Sequence, residues 1–150
     1  AVVKTALQQA AGKKKTVLLI LHASWCGWCK RLDAVLENAE IKKTMDEHFV
    51  ITHLVVMESG AKKSLENPGG NEVLGEYGGS KSGLPFYVFL SAEGKKVADS
   101  NVLPKDQNIG YPGTPEEIAA FSSLLRQTAP RMTEEQRSQI VAYLQKNAPR

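Results

Sequence analysis

Apolar positions along this chain alternate between two rhythms, one of period near 3.6 residues and one of short unbroken runs. Val2, Val3, Ala6, Leu7, Ala10 and Ala11 recur at helical spacing, and Gly12 with Lys13, Lys14 and Lys15 supplies the flexible residue and cations that favour a helix end. A strand is predicted at about Thr16 to Ala23, around the run Val17-Leu18-Leu19-Ile20-Leu21. From about Lys30 a helix follows: Leu32, Val35 and Leu36 form one apolar stripe, and Ile41, Met45 and Phe49 continue its spacing. Val50-Ile51 then opens a β-branched run to Met57, which makes a strand, helix, strand unit of the parallel kind.

Downstream the rhythm breaks. From Glu58 to Asn71 the chain turns to Gly, Ser, Lys, Asn and Pro, with Asn67-Pro68-Gly69-Gly70 as the turn signal, and reads as a surface loop. A short helix is predicted at about Glu72 to Tyr77, followed by the glycine-rich Gly78 to Gly83. Leu84-Pro85 introduces a run from Phe86 to Leu90, and a turn at Ala92-Glu93-Gly94 leads to a second run from Lys95 to Asp99, an antiparallel hairpin. Thr114-Pro115-Glu116-Glu117 and Thr133-Glu134-Glu135-Gln136 each match a capping box, so two helices close the chain, with apolar faces at Ile118, Phe121, Leu125 and at Ile140, Val141, Leu144. No internal repeat is evident.

At 150 residues the chain has the length of one ordinary domain, and 42% hydrophobic with 23% charged residues is the balance of a soluble globular protein. Its longest apolar run is far below the ~20 residues of a membrane span. The formal charge of +3 is scattered over lysine pairs and triplets beside turns and helix ends, which reads as solvated surface and not as a nucleic-acid face. The chain starts inside a helical pattern, without a charged start and hydrophobic signal segment, so a leader is expected to have been removed or omitted.

The chemistry concentrates in Trp25-Cys26-Gly27-Trp28-Cys29, which holds both cysteines at the junction of strand and helix. Two thiols at this spacing can close a small disulfide loop, and the first sits against unpaired N–H groups that favour its thiolate. So short a loop cannot staple distant parts of a fold, so its bridge is chemical and not architectural.

Ala23-Ser24-Trp25-Cys26-Gly27-Trp28-Cys29-Lys30 after a hydrophobic strand, with Gly83-Leu84-Pro85 before a hairpin, resembles the thioredoxin superfamily over nearly the whole chain. The Cys-Gly-Trp-Cys choice and the stretch Ala39 to Val50 are most similar to its extracytoplasmic branch, which includes the C-terminal domain of the bacterial disulfide interchange reductase. The resemblance implies an α/β fold: a central mixed β-sheet flanked by helices, with an N-terminal helix and an extra C-terminal helix. It also implies an exposed first cysteine above a shielded second one. The expectation is a monomeric enzyme of periplasmic or secreted location that exchanges electrons with protein disulfides and an unidentified redox partner, as a reductant or electron relay, with isomerase or oxidase work as the alternative.

In that scheme Cys26 attacks and Cys29 resolves the mixed disulfide, with no cofactor beyond the pair. Taken alone, Pro85 is an ordinary trans proline opening a strand; the resemblance implies a cis proline against the disulfide, with the Leu84 backbone free to pair with an extended substrate. Trp25, Gly27 and Trp28 would border the substrate, the alternative for the tryptophans being plain packing. Lys30, four residues after Cys26, can share its helix face and favour the thiolate, or can simply be solvated.

One departure stands out. Many thioredoxins carry a buried aspartate six residues before the attacking cysteine, and Ile20 occupies that place here. His22 or Asp33 can substitute as proton carrier, against the alternatives of a hydrogen-bonded strand histidine and a helix-surface carboxylate; His48 and His53 read as structural. Two other classes are open to the same residues. Metal held by the cysteines and a histidine is disfavoured because no second ligand pair is in sight, and a docking domain has no need of an intact dithiol.

Overall fold

Branched and apolar residues without interruption make β1 (Thr16–His22) a strand that can be buried on both faces, and the computed structural model, which describes residues 2–149, places it inside the sheet. β1 runs parallel to β2 (Phe49–Val55) and antiparallel to β3 (Phe86–Leu90), and β4 (Lys96–Asp99) pairs antiparallel with β3. The order is β2-β1-β3-β4, the mixed sheet expected from the sequence. Six α-helices among the described residues accompany it: α1 (Val2–Lys13), α2 (Gly27–Glu37), α3 (Ala39–His48), α4 (Gly70–Glu76), α5 (Pro115–Thr128) and α6 (Glu134–Lys146).

The alternation of strand side chains sorts these helices onto two faces. Leu18 and Ile20 of β1 with Tyr87 and Phe89 of β3 pack under Leu32 and Leu36 of α2, Ile41 and Met45 of α3, Phe121 of α5 and Ile140 of α6. Val17, Leu19 and Leu21, with Phe86, Val88 and Leu90, face the other way, toward Ala6 and Ala10 of α1 and Leu74 of α4. Each such side chain taken out of water contributes about 1.5–3 kcal/mol, so two apolar layers fix the position of β1 and of whatever its end carries.

Several boundaries differ from the sequence reading, each for a local reason. Gly12 lies inside α1; Lys14, at φ 55°, turns left-handed, and the Lys15 N–H closes the end on the Ala10 carbonyl at 3.1 Å. The helix expected from Lys30 through Phe49 is two helices, because Asn38 leaves helical geometry and its side chain accepts the Glu40 and Ile41 N–H groups, an N-cap for α3. α2 also begins earlier, at Gly27. The segment read as a surface loop contains a 3-10 turn (Gly60–Leu65) and a buried carboxylate, Glu58. Both expected capping boxes are formed, at Thr114 with Glu117 and at Thr133 with Gln136.

Two glycines should respond oppositely to alanine. A Cβ on Gly79 would lie 2.5 Å from the buried Phe86 ring and 2.6 Å from Leu74, whereas one on Gly12 meets nothing within 4 Å. Urea denaturation should show Gly79→Ala less stable by about 1–3 kcal/mol. Gly12→Ala should be more stable by about 0.5–1 kcal/mol, the helix-propensity difference.

Candidate active site

The site begins where β1 ends. Val56 N–H bonds the His22 carbonyl at 2.8 Å, and Ala23 is buried against both cysteines. After the turn Cys26 takes extended geometry (φ −87°, ψ 106°) and serves as N-cap of α2: its Sγ accepts the Cys29 N–H at 3.1 Å, and its carbonyl accepts the Lys30 N–H at 3.3 Å. Sulfur thus occupies the place usually held by a serine or aspartate oxygen, at the positive end of the helix dipole. Cys26 and Cys29 are joined as a disulfide, their Cα atoms 5.2 Å apart.

Exposure corrects one expectation. The first sulfur was expected to be open to solvent, yet Cys26 is only 4% exposed and Cys29 1%. Ala23 and the partly buried Leu84 cover the pair. What is exposed is the rim, with Trp25 at 56% and Trp28 at 51%. Trp25 donates its indole N–H to the Met57 carbonyl at 2.8 Å. Trp28 stacks on Tyr111 with ring centroids 5.8 Å apart, and the Arg31 guanidinium lies over both rings.

Across from Cys26, the Leu84–Pro85 bond is cis and the Leu84 carbonyl oxygen stands 3.5 Å from Cys26 Sγ. Asn108 holds that segment, donating through Nδ2 to the Gly83 carbonyl at 2.7 Å and the Pro85 carbonyl at 2.9 Å. An open cleft of about 920 Å³ runs from Trp28 and Leu84 past Asn108 and Tyr111 toward Glu117.

Two carboxylates lie near this loop in different ways. Glu58, 4% exposed, accepts the Ser24 N–H at 2.6 Å and the Ser24 hydroxyl at 2.7 Å, clamping the residues just before Trp25. Asp33 of α2 meets His22 of β1 and His53 of β2: His53 Nε2 is 3.1 Å from Asp33 Oδ1, and His22 Nδ1 is 3.7 Å from Asp33 Oδ2. Burial pushes the Asp33 carboxyl up, but hydrogen bonds and charge from His22 and His53 outweigh it and hold the group well below the usual carboxylate range. Ile20 is buried among apolar neighbours and faces Tyr87 across the sheet.

The structure therefore brings Cys26, Gly27, Cys29, Trp25, Trp28, Leu84 and Pro85 to one end of the sheet, with Lys30 exposed on α2. His22 and Asp33 meet each other and His53 in a separate cluster. His48 hydrogen-bonds Gln136 of α6 at 3.1 Å, bridging α3 to the last helix. Glu58, Asn108 and Tyr111 went unnoticed in the sequence, where each is a common residue far along the chain from the cysteines.

The thioredoxin-like family profile matches residues 2–92, more than half of the chain, across the cysteine pair and the cis proline. The chain belongs to the thioredoxin-like family. It is 28% identical over 115 residues to a protein disulfide-isomerase of Hordeum vulgare, covering 77% of this chain and 20% of that protein. It is 31% identical over 106 residues to the disulfide bond reductase DsbH of Chlamydia pneumoniae, covering 66% of this chain and 60% of that one. The chain thus spans about a fifth of the barley relative's length. Among solved structures, a DsbH oxidoreductase superposes with a TM-score of 0.59 at 21% identity, covering 87% of this chain and 83% of the other, a likeness of fold.

The Asp33 cluster makes stability depend on acid in a defined direction. A carboxyl held below its unfolded value stabilises the fold above the ordinary range near ~4, and that contribution fades as pH falls through the folded-state value. Denaturation of wild type and Asp33→Asn should therefore show a smaller stability gap at pH 3 than at pH 5; an equal gap would contradict the paired arrangement.

Proposed function

We propose that this protein is a thiol–disulfide oxidoreductase that reduces disulfides of other proteins or relays electrons between them. The observation that carries the reading is Cys26 as the sulfur N-cap of α2, with Cys29 one turn away and the Leu84 backbone beside it. In the reduced protein the Cys26 thiolate attacks one sulfur of a substrate disulfide, forming a mixed disulfide and expelling the other sulfur as a thiolate. Cys29, deprotonated, then attacks Cys26, freeing the second substrate thiolate, so two electrons pass to the substrate and the Cys26–Cys29 disulfide remains. A dithiol donor reverses the last state.

Leu84 and Pro85 shape the approach. With its side chain apolar, Leu84 contributes backbone alone, suited to an extended substrate segment laid beside it as an added strand. Trp25, Gly27 and Trp28 supply the rim over which that segment passes. The chain acts as one domain and a monomer, outside the cytoplasm, and needs no cofactor beyond its own disulfide. Asp33 is a poor candidate for proton carrier, since a carboxylate held so low has little affinity for a proton near neutral pH.

The reducing direction is supported by how few groups besides the helix start stabilise the thiolate. Strong oxidants of this chemistry owe their potential to a reduced form that is heavily stabilised. Here Gly27-Trp28 sets no cation between the sulfurs, Leu84 offers no side-chain hydrogen bond, and His22 is engaged with Asp33. The C. pneumoniae relative, named a reductase, supports the same direction, and the barley relative, named an isomerase, makes isomerisation the competing outcome.

Equilibration in glutathione buffer should give a reduction potential between about −220 and −270 mV, and a value near −120 mV would mark an oxidant instead. Cys29→Ser should accumulate a mixed disulfide with a protein substrate and Cys26→Ser should form none. Turnover that survives in Cys26→Ser would end the assignment.

A further inference from the structure

Outside the dithiol, a group of side chains among the described residues converges as metal ligands do. We propose that His22, Asp33 and His53 form a binding site for a zinc-class divalent cation, independent of the cysteines and of the oxidoreductase reading. Each residue offers one ligand atom, and these atoms lie within 4.8 Å of one another. The imidazole rings stand 4.8 Å apart between centroids, tilted by 36°.

Geometry and rigidity both favour a cation here. Tetrahedral zinc with bonds of about 2.0–2.1 Å holds its ligand atoms about 3.3 Å apart. His53 Nε2 lies 3.1 Å from Asp33 Oδ1 and His22 Nδ1 lies 3.7 Å from Asp33 Oδ2, on either side of that value, and with one ligand atom from each residue the three lie within 4.8 Å of one another, so the set has to draw closer to seat an ion. The three residues come from β1, α2 and β2, in adjoining strands where Ile20 faces His53 and His22 faces Val55 across the parallel ladder. No loop has to fold to assemble them.

Chemistry narrows the class of ion. Two imidazoles and one carboxylate suit zinc and its neighbours in the transition series, whereas magnesium and calcium want more oxygen ligands than one carboxylate provides. Side-chain exposures of 22% for His22, 36% for Asp33 and 35% for His53 leave an entry path and room for a water as fourth ligand. Glu37 and Asp46 border the same cleft and add negative charge, with Lys42 paired to Asp46 at 3.3 Å. Both histidines already point at the carboxylate, so a cation replaces contacts that exist without rebuilding the site. Bound there, it would tie α2, one turn beyond Cys29, to the two parallel strands.

The test uses the full chain without a histidine tag, oxidised so that neither sulfur can bind metal, titrated calorimetrically with zinc alone. One zinc per chain should bind in the micromolar range or tighter, with a rise in melting temperature, and magnesium should produce neither. His53→Gln and Asp33→Asn should each weaken zinc by at least about tenfold. Cys26→Ser/Cys29→Ser should bind as wild type does. X-ray absorption of the zinc-loaded wild type, which needs no variant to fold, should show imidazole nitrogen and oxygen neighbours. Absence of zinc binding by the oxidised wild type, undiminished binding in both ligand variants, or sulfur in the absorption spectrum would overturn the site. Disulfide exchange by the metal-free protein is measured separately, so a failed metal site leaves the oxidoreductase reading standing, and the reverse.

Discussion

The hydrogen bond from the Cys29 N–H to Cys26 Sγ, 3.1 Å long, organises the functional end of this molecule. It exists because β1 stops at His22 and α2 starts at Gly27, leaving Cys26 as the residue whose side chain must satisfy the first free amides of the helix. A sulfur in that place meets several aligned N–H dipoles, and the more negative it becomes the more favourable the contact. β1 can present that junction rigidly because the sheet holds it between two neighbours and apolar layers cover both faces. The core, the strand end, the cap and the reactive sulfur form one chain of causes.

Around this junction the protein uses clamps from distant segments. Glu58 holds Ser24 from 34 residues away, and Met57 holds the Trp25 indole. Asn108 braces the backbone on both sides of Leu84, and Tyr111 carries Trp28. These contacts hold the segments on both sides of the disulfide in place. The charged groups gather elsewhere, where His22, Asp33 and His53 satisfy one another. Ile20 itself is buried among apolar neighbours, and the partly buried cluster lies beside it, His53 being its partner across the parallel ladder.

What could be read from the sequence was local. Strand runs, helical stripes, the two capping boxes and the cysteine pair each depend on residues a few positions apart; the strands and both capping boxes formed close to where expected, while helix boundaries shifted. Asn38 carried a legible signal too, an N-cap residue between two apolar stripes, but continuous spacing on either side masked the break. Gly12 looked like a helix end, yet Lys14 took the left-handed turn. Glu58, Asn108 and Tyr111 were beyond reach because their meaning arises only when residues far apart in sequence are brought together, and neither type nor spacing marks them. His53 is the sharpest case: it read as structural until the parallel pairing of β1 with β2 set it beside His22, with Asp33 arriving from α2.

The account rests on Cys26 being a stabilised thiolate at the start of α2. The most direct measurement is the pH dependence of Cys26 ionisation in the Cys29→Ser protein, followed by thiolate absorbance or by the rate of alkylation. An apparent pKa below the ~8.5 of free cysteine is expected, with alkylation near neutral pH correspondingly faster. A value at or above that of free cysteine would mean that the helix start does not stabilise the sulfur, and the account would be wrong at its root.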